Sequence, residues 1–230
     1  MAFAKACLAH RKPVRRLLHF GGLLLGFLPM VAGAQSVLDH PVPAGAFPPA
    51  LKQLSKSLQD HRTLRSQFTQ TKQIRILQHP LVTTGTLLFS PDHGVYWKTA
   101  TPFEAEVVIT PEGYFQRKNG QLVSQIPAGA GAGVQEYLSV FLLVFSGDFA
   151  KLDRLFALSF LQAPPSWTVG LTSKGSLAKA VKSIEISGKF PANLKRIVIR
   201  ETNGDLTRIE LHDTESSTLR LSSAELRLFE

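Results

Sequence analysis

The sequence predicts a mainly β fold of the α+β class: a curved antiparallel sheet of about 11–12 strands that forms an unclosed β-barrel with a helical lid. Two observations predict it. Short segments of alternating apolar and polar residues recur between turn residues in both halves of the chain. A strongly apolar segment with helical periodicity lies between these two sets of strands.

The first 34 residues have the pattern of a secretory signal. A basic stretch precedes an apolar run over 17–30, and Ala32-Gly33-Ala34 matches the small-x-small pattern of signal peptidase sites. We therefore expect cleavage after Ala34 and a periplasmic protein. Residues 35–46 are rich in Pro and Ala and predict a flexible leader, and 47–230 then forms a single domain.

The charge of the chain changes once the signal is set aside. The 230 residues include 26 Lys+Arg and 17 Asp+Glu, a net charge of +9, and removal of the five basic residues of the signal leaves +4. No basic stripe interleaved with aromatic residues remains, so nucleic acid is excluded as a partner. The single cysteine, Cys7, lies in the signal, which excludes disulfides and thiol chemistry from the rest of the chain.

A helix and a run of hairpins begin the domain. Pro48 and Pro49 fit the first turn of a helix over 47–60 that carries leucines three and four residues apart. After residue 63 the apolar period changes to two, and Asn119-Gly120 is a strong two-residue hairpin signal. The predicted strands of this half are 64–77, 81–90, 94–100, 103–110, 113–118 and 121–126.

The lid is the second predicted helix, over 134–146, and it follows a Gly/Ala loop at 128–133. Its apolar residues cover an arc of roughly 200°, which is wider than packing on one side requires. Two interpretations stand: the helix is buried between the sheet and other segments, or its inner face meets a removable apolar ligand. Gly147 ends the helix as its C-cap.

Strands return after a short helix over 149–155. Asn203-Gly204 marks a further hairpin turn, and the side chains of 207–211 alternate between a buried and an exposed face. The predicted strands of this half are 156–162, 167–173, 182–188, 194–201, 205–212 and 218–229.

Motifs of catalysis do not occur in the chain. G-x-S-x-G, H-E-x-x-H, the Walker loop and G-x-G-x-x-G are all missing from the sequence. The histidines after the signal are scattered, with no i, i+2 or i, i+4 pair that would converge on a metal. We therefore expect no enzymatic activity, no cofactor and no metal.

Large apolar side chains are concentrated on the faces that the sheet and lid turn toward each other. Either they form a packed core, or a barrel wider than the minimum encloses an apolar cavity. The predicted cavity residues are Leu87, Phe89, Val95, Trp97, Phe103, Ile109, Phe115, Phe156 and Trp167 from the sheet, and Phe141, Leu142 and Phe145 from the lid.

The order of these features resembles a known family. The features in question are Phe68-Thr69-Gln70, Pro80-Leu81, Gly85-x-Leu87-x-Phe89, Pro91, Trp97, Pro102, the Gly113 turn, the lid helix, Gly147-Asp148, the Trp167 strand and Asn203-Gly204-Asp205. Together they resemble the LolA-like outer-membrane lipoprotein carrier proteins over roughly residues 47–215.

The resemblance implies a carrier whose apolar cavity shields the acyl chains of lipoprotein or lipid cargo. It also implies an inner-membrane transporter or exporter as donor and an outer-membrane acceptor, with the carrier acting as a monomer. We expect the lid to move about Gly131, Gly133 and Gly147. The chain departs from the family at Ser90, where classical carriers have an arginine before the proline; this departure weakens the transfer of lipoprotein specificity and keeps other acylated envelope molecules open as cargo.

Two other hypotheses belong to different classes. An envelope sensor or interaction domain on the same half-barrel would bind a membrane-anchored regulator instead of lipid. A hydrolase would require Ser, His and an acid to converge in a cleft.

Overall fold

A computed structural model describes the backbone of residues 36–118, 120–127 and 132–230, and their side chains except those of 132–138. The helices are α1 (Pro49–Gln59), α2 (Ala132–Ser146), α3 (Phe149–Leu155) and α4 (Ser223–Leu226). The strands are β1 (Thr63–Gln73), β2 (Leu81–Ser90), β3 (Gly94–Thr101), β4 (Ala105–Thr110), β5 (Gly113–Lys118), β6 (Gln121–Pro127), β7 (Phe156–Ala163), β8 (Ser166–Ser173), β9 (Val181–Lys189), β10 (Asn193–Glu201) and β11 (Leu206–Ser217).

All eleven strands form one antiparallel sheet in the order β6-β5-β4-β3-β2-β1-β11-β10-β9-β8-β7. The first and last strands meet at its centre, where β1 pairs with β11. The two halves of the chain thus extend outward as hairpins from this central pair, and β6 and β7 are not joined. The predicted fold class, an unclosed and mainly β structure with helices, is confirmed.

The main core lies on the concave face of the sheet. Because side chains alternate along a strand, every second residue of each strand points to this face. Register pairs such as Leu87 with Trp97 on β2 and β3, and Ile184 with Ile199 on β9 and β10, place apolar side chains together there. The buried faces of α1, α2 and α3 join the same cluster.

Helix α1 begins later than the pattern predicts. Pro48 occupies the N-cap position and Pro49 the first turn, where the amide that proline lacks would have no helical partner. Leu51, Leu54 and Leu58 are all buried, so the leucine spacing correctly identifies the packed face.

The segment predicted as a twelfth strand, 218–229, is wrong. Strand β11 continues to Ser217, and the chain then folds over the convex face, where Leu221 joins a second apolar cluster with Leu88, Tyr96 and Val108. Ser222 caps α4 in a capping box with Glu225. One reason is local, because a Ser-x-x-Glu sequence favours a helix start over an extended strand.

The predicted leader also differs in the structure. Residues 36–42 pack along the edge of β7, where the Val42 amide donates to the Leu158 carbonyl at 2.8 Å and the Phe160 amide donates to the His40 carbonyl at 3.0 Å. Exposed strand edges present unpaired amides and carbonyls. The leader satisfies part of that edge instead of remaining loose.

The second hairpin turn is found where the sequence places it. Gly204 has a φ of 93°, and β10 and β11 pair on either side of the turn. Of the first turn, Gly120 has a φ of 74°, and Asn119 lies outside the described residues.

Candidate functional site

A cavity of about 260 Å³ lies between the concave face of the sheet and α2. It exists because inward residues of six strands, the central pair and strands on both sides of it, meet the inner side of one helix. Its lining residues are Gln70, Lys72, Val95, Trp97, Val107, Ile109, Tyr114, Phe141, Ile199, Glu201, Thr207 and Ile209.

The polar lining residues Gln70, Lys72, Glu201 and Thr207 lie together at one end of the strands, where β1 and β10 finish and β11 begins. Gln70 and Lys72 stand near the end of β1, which is paired with the start of β11 at Thr207. Lys72 Nζ donates to Glu201 Oε1 at 2.9 Å. Because the charged groups lie at this end and the apolar ones deeper, we call this end the mouth of the cavity.

One wall of the cavity is formed where the aromatic rings of Phe68 and Trp97 pack against each other. The centroids of Phe68 and Trp97 are 4.0 Å apart with an interplanar angle of 35°. Phe68 lies over Gly85 on the neighbouring strand, where any Cβ would meet the ring and the Lys98 carbonyl. Gly85 is therefore the residue that lets the two rings pack into the wall.

Phe141 and Ile199 lie between the cavity and a second, smaller space. This space, of about 20 Å³, lies under α2 on the side of β9 and β10, and the two side chains line both spaces. All of its lining residues are apolar: Val140, Phe141, Val144, Phe156, Leu177, Val181, Ile184, Ile197 and Ile199. The wide apolar arc of α2 thus faces two spaces as well as the packed core.

Tyr114 is the polar aromatic group of the lining. Its hydroxyl donates to Gln116 Oε1 at 3.3 Å, and burial raises the pKa of the Tyr114 phenol. The hydroxyl is therefore neutral at physiological pH, as suits an apolar space.

Five of the predicted cavity residues line the two spaces. Val95, Trp97, Ile109 and Phe141 line the larger one, and Phe156 the smaller one. Four others are buried in the packed core on the same face: Leu87, Phe89, Phe145 and Trp167. The Phe89 and Phe145 rings, for example, pack against each other with centroids 5.8 Å apart.

Three predicted cavity residues are placed elsewhere by the structure. Phe103 lies in the turn before β4, because that strand begins only at Ala105, and its side chain is exposed. Phe115 points to the convex face, since its neighbour Tyr114 is the inward residue, and it packs against the cluster under the C-terminal segment. Leu142 is half-buried and lines a surface groove beside Phe89 instead of the cavity.

The predicted hinge glycines differ in what surrounds them. Gly147 ends α2 with a φ of 66°, and its carbonyl accepts a hydrogen bond from Ser55 Oγ at 2.7 Å. Gly133 lies within the first turn of α2, and Gly131 lies outside the described residues. The C-terminal end of α2 is thus tied to α1 through Gly147.

Several lining residues were not predicted from the sequence, including Gln70, Lys72, Glu201 and Ile199. A usable signal was present, because Gln70 and Lys72 continue the alternation that begins at buried Phe68, so all three share a face. Polar residues at the end of an otherwise apolar face indicate where a cavity opens to water.

In the described part of the chain, each helix is too short or too polar to cross a bilayer. In the same residues no group of three or more His, Cys, Asp or Glu side chains is placed to hold a metal ion.

Comparison with known proteins gives matches among solved structures alone. Neither a protein-family model nor a curated protein matches the chain. An outer membrane lipoprotein-sorting protein domain from Vibrio parahaemolyticus is 9% identical, with 78% of this chain and 97% of that chain covered and a TM-score of 0.40. The LolA superfamily protein NE2245 from Nitrosomonas europaea is 7% identical, with 76% and 96% covered and a TM-score of 0.39.

The chain is similar to LolA superfamily proteins. It is also similar to the MucA/MucB complex of Pseudomonas aeruginosa, with 13% identity and a TM-score of 0.43 over 77% of this chain. In that comparison the matched region spans 59% of the other chain.

Proposed function

We propose that the protein is a non-enzymatic periplasmic carrier that shields the acyl chains of lipoproteins or other lipidated envelope molecules during transport toward the outer membrane. The observation that carries the proposal is the apolar cavity between the concave face and α2, with its polar mouth at one end. Cavities with apolar walls and a few polar groups at one end suit ligands that have an apolar tail and a polar head.

The energy of exposing such cargo explains why a carrier is needed. At about 0.8 kcal/mol for each CH₂ group, an acyl chain of about sixteen carbons costs on the order of 12 kcal/mol to expose to water. Unassisted transfer across an aqueous compartment is correspondingly slow. A carrier accelerates it by covering the chain, and no covalent step is required.

The size of the cavity implies that α2 moves when cargo enters. Ligand pockets are commonly about 300–1,000 Å³, and the present cavity is about 260 Å³. Phe141 and Ile199 lie between it and the space beneath Val140 and Val144. A shift of α2 that moves the Phe141 ring aside would join the two spaces into one longer apolar channel.

The proposal includes the partners of each transfer step. An inner-membrane transporter or exporter donates the cargo, an outer-membrane acceptor receives it, and the carrier acts as a monomer between them. No nucleic acid, cofactor or metal takes part.

Lipid extraction tests the proposal most directly. Protein purified without detergent should carry bound lipid, visible by native mass spectrometry and in an organic extract. A protein that is empty, and that accepts no acylated molecule from membranes, would contradict the proposal. Tight binding of such an empty protein to an envelope regulator would support the interaction-domain hypothesis instead.

Neighbouring residues of α2 provide a matched pair of variants. Phe141→Asp places a carboxylate in the cavity wall, whereas Leu142→Asp places one in the groove beside Phe89. We expect Phe141→Asp to lower the bound lipid by about tenfold or more, because a buried charge opposes apolar ligands, and Leu142→Asp to retain it. Thermal unfolding of both variants measures stability. If both variants lost the same amount of bound lipid, α2 would belong to the packed core and would not be a cavity wall.

A further inference from the structure

Four large aliphatic side chains are exposed on the β1–β2 hairpin, beyond the mouth of the cavity. Ile76 has 86% of its surface exposed, Leu77 47%, and both Leu81 and Val82 50%. Contiguous exposed apolar patches mark interaction sites more often than scattered ones do. We call these four residues the apolar tip.

A fifth apolar residue stands beside the apolar tip on the next hairpin. The register pairs Thr84 of β2 with Thr101 of β3, and their hydroxyls are 2.6 Å apart. Counting outward along both strands from this pair leads to Val82 on one side and Phe103 on the other. Phe103 is 76% exposed, so the apolar surface extends across two neighbouring hairpins.

The apolar tip adjoins the mouth. Lys72, which lines the mouth with its partner Glu201, is paired with Leu81 in the sheet. The hairpin therefore continues from the mouth into solvent. Its base is anchored, because the Arg75 amide donates to Asp205 Oδ1 in the β10–β11 turn at 3.0 Å.

The β1–β2 hairpin itself carries charge of one sign, whereas Asp205 and Glu201 lie beside it on neighbouring segments and Glu201 pairs with Lys72. No Asp or Glu occurs between Asp60 and Asp92, a stretch with four Lys or Arg residues. Of these, Arg75 lies within the hairpin turn and is exposed. Exposed aliphatic side chains next to a cation are complementary to a bilayer whose surface is anionic.

We infer that the apolar tip docks on the surface of an anionic phospholipid bilayer, with its aliphatic side chains inserted at the level of the headgroups. Docking places the mouth at the lipid surface, where an acyl chain can pass between bilayer and cavity without crossing water. The purpose of docking, passage of an acyl chain into the cavity, rests on the proposed function. The insertion of the apolar tip into the bilayer does not depend on cargo.

The shape of the apolar tip favours a lipid over a protein. Stable protein interfaces bury roughly 800 Å² on each partner, spread over 20–30 residues. The apolar tip and Phe103 together are only five side chains at the ends of two neighbouring hairpins, which suits insertion into a fluid surface better than docking on a folded one.

Site-specific fluorescence tests the inference on the exported protein, purified after removal of the expected signal and with it Cys7. Ile76→Cys then carries an environment-sensitive fluorophore, and Glu112→Cys, in the exposed β4–β5 turn at the opposite end of the strands, is the matched control. With vesicles of phosphatidylethanolamine and phosphatidylglycerol, the label at 76 should shift to the blue and the label at 112 should not. The paired labels separate insertion of the apolar tip from attachment by any other part of the chain.

Binding of unlabelled variants provides the second measurement. Ile76→Ser should weaken binding to these vesicles by about tenfold, since it removes most of one inserted side chain. Leu219→Ser removes a comparably exposed leucine beyond the opposite end of β11 and should leave binding unchanged. Equal shifts of both labels, no shift at 76, or identical binding of wild type and Ile76→Ser would overturn the inference. A blue shift of the label at position 76 that occurs only when the vesicles contain membrane proteins would overturn it too.

The two proposals fail separately. A protein that carries lipid but whose position 76 stays in water retains the carrier function and loses the docking inference. A protein that inserts its apolar tip but extracts no lipid retains the docking inference and loses the carrier function.

Discussion

Gly85 shows how one residue shapes the cavity. Gly85 lies on β2 beneath Phe68, whose ring packs against Trp97. Because Gly85 has no side chain, the two rings can fill that space and form the cavity wall. A methyl group at this position would overlap the Lys98 carbonyl of β3, which belongs to the backbone and cannot rotate away. The glycine is required by close approach and not by its backbone angles.

Gly85→Ala should therefore destabilise the protein by about 2–3 kcal/mol through overpacking. Urea unfolding measures the loss. Thr86→Ala, at the adjacent exposed position, is the control and should change the free energy of unfolding by about 0.5 kcal/mol or less. If Gly85→Ala had the wild-type free energy of unfolding, β2 and β3 could separate without cost and the expectation would be wrong.

The alternation of single residues along the strands explains which cavity residues could be predicted. Val95, Trp97 and Ile109 follow from alternation along strands with one apolar face. Phe115 does not, because Tyr114 and Phe115 are adjacent aromatics and the convex face beneath the C-terminal segment is apolar as well. When both faces of a strand are covered, alternation alone cannot tell which aromatic points inward.

At the scale of elements, an ion pair adds to the apolar cluster that holds the C-terminal segment on the sheet. Arg65 Nε on β1 donates to Glu225 Oε1 of α4 at 2.7 Å, and the Ser222 amide donates to the same carboxylate at 2.8 Å. Arg65 above all lowers the pKa of Glu225 to about 2 from an ordinary 4.5. The pair thus stabilises the folded state above pH 4.5, and this contribution is lost as the pH falls from 4.5 toward 2.

Glu225→Gln keeps an oxygen for the capping box but removes the charge. We expect the variant to be less stable than wild type by about 1 kcal/mol at neutral pH, with the difference disappearing as the pH falls from 4.5 to 2. Urea unfolding at several pH values measures this. Arg65→Gln should show the same convergence, and the double variant should be less destabilised than the sum of the two. Strict additivity would contradict a direct pair.

The Ser-x-x-Glu sequence at 222–225 also shows where element prediction went wrong. The alternation of leucines over 218–229 favours a strand, and the capping signal inside it favours a helix. The capping signal prevails because β1 already pairs with β11 on one side and β2 on the other, which leaves no edge there for another strand.

For the whole molecule, the sheet order predicts a gradient of local stability. The central strands β1 and β11 each pair on both sides and carry buried Phe68 and Ile209, whereas β6 pairs with β5 alone and most of its residues are exposed. Local opening costs least where few buried contacts are broken. Amide hydrogen exchange should therefore be slowest in β1 and β11 and fastest among the strands in β6. Protection of β6 equal to that of β1 would contradict this order.

The overall architecture could be predicted because it depends on repeated local signals. Turn residues such as Asn203-Gly204 and the two-residue period identify the hairpins, and consecutive hairpins make a meander. The pairing of β1 with β11 depends on contacts between residues such as Phe68 and Leu211, which are distant in sequence. No local pattern specifies such a contact, so the position of the cavity across this central pair required the structure.

The pairing of residues 40–42 with β7 has a consequence for self-association. A sheet polymerises into a fibre only if both of its outer strands can accept a neighbour, because each added molecule must leave a fresh acceptor behind. Here residues 40–42 already pair with the middle of one outer strand, β7, over Leu158–Phe160. Molecules that meet through β6 can join as a pair, and the partly covered β7 on each far side then disfavours further growth.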